Sequence, residues 1–128
     1  MSSVPPVHPK PSQGEIWVVK LPTEPPDKGP RYVIVVSTDA QNRHPRATTV
    51  LVVPLSTTLS KSPCLQLSPG ETGLGETSEI WANGISCVLR ASLMPPRYQL
   101  RKLSRGMICS IARCVVRAMG VLPSEIAD

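Results

Sequence analysis

Two apolar runs, residues 29–37 and 48–55, predict the central buried strands of this chain. Both runs are rich in β-branched side chains, and a Gly-Pro pair interrupts the chain at the start of the first. Because proline donates no ladder hydrogen bond, Pro54 favours a sheet edge or a bulge near the end of the second run. Weaker strand patterns occur at residues 14–21, 64–67, 84–89 and 91–94.

The hydrophobic period changes near the C-terminus and predicts one helix over residues 104–119. Ser104 suits its N-cap, and Gly120 suits the position just after its last turn. Apolar side chains recur there at helical spacing, at Met107, Ile108, Ile111, Val115 and Met119. About five short strands and a terminal helix predict a mainly β protein, built as a strongly bent sheet or a partly open barrel.

The length of 128 residues fits a single domain. Residues 1–12 are rich in proline and serine and predict a flexible tail, which leaves residues 13–128 for the domain. Proline, glycine and turn-forming residues predict loops at 22–30, 38–46 and 68–75.

No segment has the pattern of a membrane span or a secretory signal. No apolar run approaches about 18 residues, and the first eleven residues contain no apolar core of the kind a signal peptide needs. We therefore expect a cytoplasmic protein with no membrane association.

The four cysteines, at positions 64, 87, 109 and 114, form no CxxC pair, and the two histidines lie far from them in sequence. Two disulfides are possible in principle. In a reducing compartment we expect buried free thiols instead, and no metal site.

The net charge of +5 lies entirely in the last third of the chain. From residue 90 onward there are seven basic residues and two acidic ones, whereas the counts balance before it. An arginine-rich surface suits a phosphate, a carboxylate or an acidic protein, although a plain solvated face has the same composition.

Arg31 stands at the entrance of the first central strand, and Ser56 and Thr57 stand at the end of the second. A charged or hydroxyl side chain at a strand end can face a cleft while its neighbours enter the core. We therefore expect Arg31 and Ser56 to face one shared cleft.

The order of three motifs resembles the MazF/PemK (Kid) toxin family over residues 13–120. The motifs are Gly14-Glu15-Ile16-Trp17, Arg31 before Val-Ile-Val-Val-Ser, and the run from Val50 to Thr57. The resemblance implies a homodimer of SH3-like small barrels of five to seven strands with a C-terminal helix. It further implies a toxin without cofactor or metal, and a cognate, acidic antitoxin. The implied activity is ribosome-independent cleavage of single-stranded RNA, in which the 2′-OH attacks the phosphate and leaves 2′,3′-cyclic phosphate and 5′-OH ends.

The resemblance also implies catalytic roles for Arg31 and Ser56, the latter where the family usually has threonine. Some members carry an acidic residue in the late strand, but residues 89–94 contain none. A general base would then come from Glu24 or Asp27, or the site works with Arg31 and Ser56 alone. Thr57 is a further candidate, and the basic residues expected to bind RNA are Arg43, Arg90 and Arg97.

Other interpretations stay open from the sequence. An imidazole can act as a general base, which makes His44 a candidate, but it has no place in the family pattern. Arg113 and Arg117 share a helix face that suits an acidic antitoxin. An alternative is a non-catalytic member of the fold that binds a protein, as CcdB toxins bind DNA gyrase, or nucleic acid. An unrelated small barrel that binds RNA or protein is a third; with only four aromatic residues, stacking on bases is weakly supported.

Overall fold

A computed structural model describes residues 9–97 and 99–126 of the chain. The strands are β1 (Ile16–Val19), β2 (Arg31–Val35), β3 (Thr49–Ser56), β4 (Gln66–Leu67), β5 (Ser78–Ile80) and β6 (Ser86–Leu89). The α-helices are α1 (Asp39–Arg43), α2 (Pro69–Thr72) and α3 (Arg105–Ala118), and single 3₁₀ turns lie at Ala82–Gly84, Arg90–Ser92 and Pro123–Glu125. The predicted mainly β architecture with a C-terminal helix is confirmed.

The eight-residue strand β3 is the centre of an antiparallel sheet. It pairs with β2 on one side, while its other side pairs first with β6 and then with β5. Pro54 lies between those two partners, where its carbonyl accepts a hydrogen bond from the Trp81 N–H at 2.9 Å. The prediction that Pro54 lies at a sheet edge is wrong. Pro54 lies inside the sheet, and its missing N–H falls where the partner of β3 changes from β6 to β5.

Alternating side chains of the central strands fill two separate apolar clusters. Ile34 and Val53 contribute to one cluster, which also contains Ile108 and Ile111 of α3. Val33 and Val52 point to the opposite face, where they pack with β6 residue Val88. Burial on both faces explains why these strands appear in the sequence as nearly continuous apolar runs.

The helix α3 has the boundaries that its capping residues predict. The Ser104 hydroxyl accepts a hydrogen bond from the Met107 N–H, and Gly120 adopts a left-handed conformation with φ of 79°. Ile108, Ile111 and Cys114 are buried, but Met119 is 72% exposed. Met119 therefore does not belong to the buried face, although its spacing placed it there.

Three short elements lie where the sequence predicts loops or no strand. α1 occupies part of the loop 38–46, α2 part of the loop 68–75, and β5 follows the latter. Each has three to five residues, too few to show a helical or alternating pattern. They form because of caps and tertiary pairing: Thr38 caps α1, and β5 pairs with both β3 and β4.

The expectation of four buried free thiols is wrong. Cys64 and Cys114 form a disulfide between the segment before β4 and α3, with Cα atoms 5.9 Å apart across a sequence separation of 50. Cys87 and Cys109 are free, but both are exposed. Spacing along the chain carries no signal for this pairing, because folding alone brings the two segments together.

Of the predicted tail, residues 1–8 lie outside the described residues. Pro11 is buried, and the Ser12 hydroxyl accepts a hydrogen bond from Nη2 of Arg43 at 2.6 Å. In the described part of the chain, no helix is both long enough and apolar enough to cross a membrane.

Candidate active site

Antiparallel pairing of β2 and β3 brings Arg31 and Ser56 to the same end of the sheet. Val33 pairs with Pro54; Arg31 lies two residues before the former and Ser56 two residues after the latter. Both side chains line a cleft of about 460 Å³. The other lining residues are Lys28, Gly29, Pro30, Tyr32, Leu55, Thr57 and Thr58. The structure thus places both predicted residues in one cleft, together with Thr57.

The guanidinium of Arg31 is held on two sides. Its Nε donates to Oε1 of Glu24 at 2.7 Å, and its central carbon lies 5.9 Å from the centroid of the Trp81 ring. The Arg31 side chain is 26% exposed, and its Nη groups make no hydrogen bond to any residue that the structure describes. A guanidinium carries five N–H donors, so four stay available for an anion in the cleft.

The hydroxyl of Ser56, the last residue of β3, makes hydrogen bonds to the backbone of the turn that follows. It accepts a hydrogen bond from the Thr58 N–H at 3.1 Å and lies 3.3 Å from the Thr58 carbonyl oxygen, to which it donates. Ser56 is half-buried, whereas Thr57 and Thr58 are exposed. The serine therefore presents a hydroxyl oriented by the backbone in the same cleft as Arg31.

The two acidic candidates of the first loop have different environments. Glu24 pairs with Arg31, and its side chain is only 9% exposed. Asp27 is exposed and makes no hydrogen bond to another described residue. Neither lines the cleft. Glu24 therefore lies outside the cleft and restrains the Arg31 side chain through the ion pair.

A smaller pocket of about 190 Å³ adjoins the cleft and shares Tyr32, Leu55, Ser56 and Thr57 with it. Ser78 also lines this pocket. Ser78 is 1% exposed, and its hydroxyl has no hydrogen-bond partner within the described part of the chain. Buried hydroxyls normally make a hydrogen bond, so the Ser78 hydroxyl is an exception among the residues that line this pocket.

The three arginines expected to bind RNA do not line the cleft. Arg43 contacts Ser12. Arg90 donates from Nη1 to the Asn42 carbonyl at 2.7 Å and so caps the end of α1. Arg97 lines a separate pocket with Arg101 and Lys102. Their RNA-binding role stays a prediction, and the basic residues that do line the cleft are Arg31 and Lys28.

The remaining candidates also lie outside the cleft. His44 is exposed, and its Nδ1 accepts a hydrogen bond from the Arg46 N–H at 3.1 Å. Arg113 and Arg117 are exposed on α3. No group of three or more metal-ligating side chains occurs among the residues that the structure describes.

Sequence patterns missed Trp81 and Tyr32 as parts of the site. Trp81 follows β5, a strand too short to recognise, and its contact with Arg31 spans 50 positions of the chain. Tyr32 directly follows Arg31 at the start of β2, and this adjacency is the one signal that the sequence offers for it.

Comparisons with known proteins identify a family and several solved structures that are similar to this chain. A family model described as PemK-like, MazF-like toxin of type II toxin-antitoxin system matches residues 12–119. No curated protein sequence matches the chain.

Three solved mycobacterial structures share the fold. An endoribonuclease in complex with its cognate antitoxin has a TM-score of 0.63 and 21% identity, covering 86% of this chain and 95% of that one. A second endoribonuclease has a TM-score of 0.65 and 22% identity, covering 91% and 96%. The Mycobacterium tuberculosis toxin MazF-mt6 has a TM-score of 0.64 and 18% identity, covering 84% and 97%.

Proposed function

Because the chain belongs to the PemK-like, MazF-like toxin family of type II toxin–antitoxin systems, we propose that it is an endoribonuclease that cleaves single-stranded RNA. Two solved structures that share its fold are described as endoribonucleases. The observation that carries the proposal is the shared cleft of Arg31 and Ser56, because a fixed guanidinium beside a hydroxyl suits a phosphodiester.

Arg31 supplies the positive charge for the reacting phosphate. When the 2′-oxygen attacks phosphorus, negative charge builds on the non-bridging oxygens, and a preorganised cation stabilises that charge more than it stabilises the starting diester. The Nη groups of Arg31 provide a planar pair of donors that matches two phosphate oxygens. Lys28 at the rim adds attraction for the RNA backbone.

Ser56 orients the same phosphate from the opposite strand. Its oxygen accepts from the Thr58 N–H, which leaves the hydroxyl proton for a non-bridging oxygen once RNA replaces the Thr58 carbonyl as acceptor. The P–O5′ bond breaks as the 2′-O–P bond forms, giving a 2′,3′-cyclic phosphate and a 5′-hydroxyl. The 2′-OH proton leaves to solvent, and solvent protonates the departing 5′-oxygen. Neither carboxylate of the first loop lines the cleft, which favours a site that works with Arg31 and Ser56 over one that uses Glu24 or Asp27 as its general base.

The partners follow from the family and from one neighbour. That neighbour is in complex with its cognate antitoxin, and we propose an acidic antitoxin for this chain, bound as a blocker of the cleft. The exposed arginines of α3, Arg113 and Arg117, offer a complementary surface. A homodimer and a cytoplasmic location complete the proposal.

The absence of a carboxylate or an imidazole among the described residues that line the cleft favours one alternative. In it, the chain is a non-catalytic member of the fold that binds a protein such as DNA gyrase, or nucleic acid. Arg31 would then contact its target without cutting it.

Incubation with a long single-stranded RNA in EDTA tests the proposal. We expect discrete cuts whose new 5′ ends are labelled by polynucleotide kinase without prior phosphatase treatment, as 5′-hydroxyl ends are. Arg31→Ala should lower the cleavage rate by about 10²–10³-fold, the usual effect of removing a transition-state donor. Ser56→Ala should slow cleavage, while Ser56→Thr should retain it because the hydroxyl persists.

Two results would contradict the proposal. The first is intact RNA with wild-type protein that is folded and free of antitoxin; gyrase inhibition by that same protein would then support the alternative. The second is equal cleavage by wild type and Arg31→Ala. A 2′-deoxynucleotide at the mapped cut site serves as the substrate control, since it removes the attacking oxygen and should block cleavage.

A further inference from the structure

Trp81 lies with its ring against the functional end of Arg31. The guanidinium carbon is 5.9 Å from the ring centroid, within the range of a cation–π contact. Trp81 is 41% exposed, so it lies at the surface and not inside the core, and it does not itself line the cleft. Core packing therefore does not account for the position of the Trp81 ring, but its contact with Arg31 does.

The backbone of Trp81 is attached to the strand that carries Ser56. Its N–H donates to the carbonyl of Pro54, two residues before Ser56, at 2.9 Å. The residue directly before it, Ile80, pairs with Leu55 in the sheet. The backbone of Trp81 is therefore anchored to the strand that carries Ser56.

Gly84 packs directly against the indole ring of Trp81. A Cβ atom at Gly84 would approach Cε3 of Trp81 to 2.5 Å and Cδ2 to 2.7 Å, closer than side-chain carbons pack. Gly84 is not among the described glycines with positive φ, so its backbone conformation is open to alanine. A side chain at position 84 would therefore force the Trp81 ring to move.

We propose that Trp81 is a positioning residue for Arg31 and that Gly84 allows its ring to take that position. Glu24 restrains the Nε edge of the guanidinium, and the indole restrains its face. Together they limit rotation of the planar group and direct its Nη donors to the phosphate. This inference rests on the proposed endoribonuclease activity and assigns a specific support to it.

Steady-state cleavage of a short RNA that spans a mapped cut tests this role in five proteins: wild type, Trp81→Ala, Trp81→Phe, Gly84→Ala and the double variant Trp81→Ala/Gly84→Ala. We expect each alanine variant to lower kcat by about ten- to a hundredfold, the scale of a small misplacement of a catalytic group. Trp81→Phe should recover part of the loss, because a smaller aromatic face persists.

The double variant supplies the decisive comparison. Gly84→Ala should have no further effect on kcat when residue 81 is alanine, because no ring is left to displace. Losses that multiply would overturn the proposal, as would an unchanged kcat in Trp81→Ala. A raised KM with unchanged kcat would also overturn it and would indicate that Trp81 stacks on a base. Gly106→Ala is the matched control: its Cβ would meet only Ser104 Oγ, at 3.8 Å, and kcat should not change.

A second readout needs no RNA. In ¹H–¹⁵N spectra of the free protein, the Arg31 Nε–H resonance reports the ring current of Trp81, and it should shift in Trp81→Ala and in Gly84→Ala but not in Gly106→Ala. If wild type cleaves no RNA, the proposed function fails and this shift still decides the positioning role. If wild type cleaves but neither the resonance nor kcat changes, the positioning role fails and the proposed function stands. Thermal unfolding of each variant verifies that it is folded.

Discussion

Nε of Arg31 lies 2.7 Å from Oε1 of Glu24, and this ion pair ties the proline-rich loop before β2 to the first residue of that strand. The Glu24 side chain is 9% exposed and that of Arg31 is 26% exposed, so solvent screens the pair less than it screens a surface salt bridge. Removing one partner of such a pair leaves the other charge poorly compensated. The ion pair therefore restrains both the conformation of the loop and the orientation of Arg31 in the cleft.

Glu24→Gln should lower the RNA cleavage rate by about tenfold, because the neutral amide holds the Arg31 guanidinium more weakly in its catalytic orientation. The loss should lie mainly in kcat, since the Nη donors that we propose contact RNA are still present. Asp27→Asn is the comparison variant, from the same loop but without contact to Arg31 in the structure. Equal losses in both variants would show that loop charge matters and the ion pair does not.

Asp39, the first residue of α1, should make the stability of the fold depend on pH in the acid range. Its pKa is lowered from 3.8, first by the Gln13 N–H that donates to Oδ1 at 2.6 Å and further by the charges of Arg43 and Lys102, against a smaller opposing effect of burial. A lowered pKa in the folded state means that the ionised carboxylate stabilises the fold above about pH 4. This contribution disappears as the pH falls through the folded-state pKa.

The measurement for Asp39 is the urea midpoint of wild type and Asp39→Asn between pH 7 and pH 3. We expect the wild type to be more stable at neutral pH and the difference to shrink as the solution becomes acidic. Glu76→Gln is the control, because Glu76 is exposed and makes no hydrogen bond to another described residue. A difference between wild type and Asp39→Asn that stays constant with pH would contradict the assignment.

The Cys64–Cys114 disulfide should raise the free energy of unfolding by up to about 4 kcal/mol, from the loop of 50 residues that it closes. Chemical unfolding of the oxidised protein, with and without a dithiol reductant, measures this contribution. Cys64→Ser should show the same loss and no further response to the reductant. Cys109→Ser, which removes an exposed free thiol, should behave like wild type. A reductant-independent midpoint in wild type would show that the thiols are not paired in solution.

Ser78→Ala should be neutral or stabilising by about 1 kcal/mol, because the buried hydroxyl of Ser78 has no hydrogen-bond partner in the described structure. Thr72→Val should instead destabilise by about 1–2 kcal/mol. The Thr72 hydroxyl is equally buried, but it accepts from the Leu74 N–H at 3.0 Å and donates to the Ser68 carbonyl. Thermal unfolding compares the two. A clear loss of stability in Ser78→Ala would reveal a partner for that hydroxyl in solution.

Local pattern alone was enough for the main elements of the fold. The β-branched runs around Val33 and Val52 could only be buried strands, and Ser104 and Gly120 ended the one long helix within a residue of its observed bounds. Arg31 and Ser56 could be paired in advance as well, because each stands at the end of a strand and consecutive antiparallel strands bring such ends together.

The side chains that hold the Arg31 guanidinium could be identified only from the tertiary structure. Glu24 and Asp27 are equivalent in the sequence, and only the path of the loop makes one of them the partner of the guanidinium. Trp81 and the Cys64–Cys114 pair act across about 50 residues, and no periodicity encodes contacts at such a separation. The sequence by itself determined which residues form strands, helix and strand ends, because those depend on neighbours along the chain. The packing of the folded chain decided which of those residues support one another around the cleft.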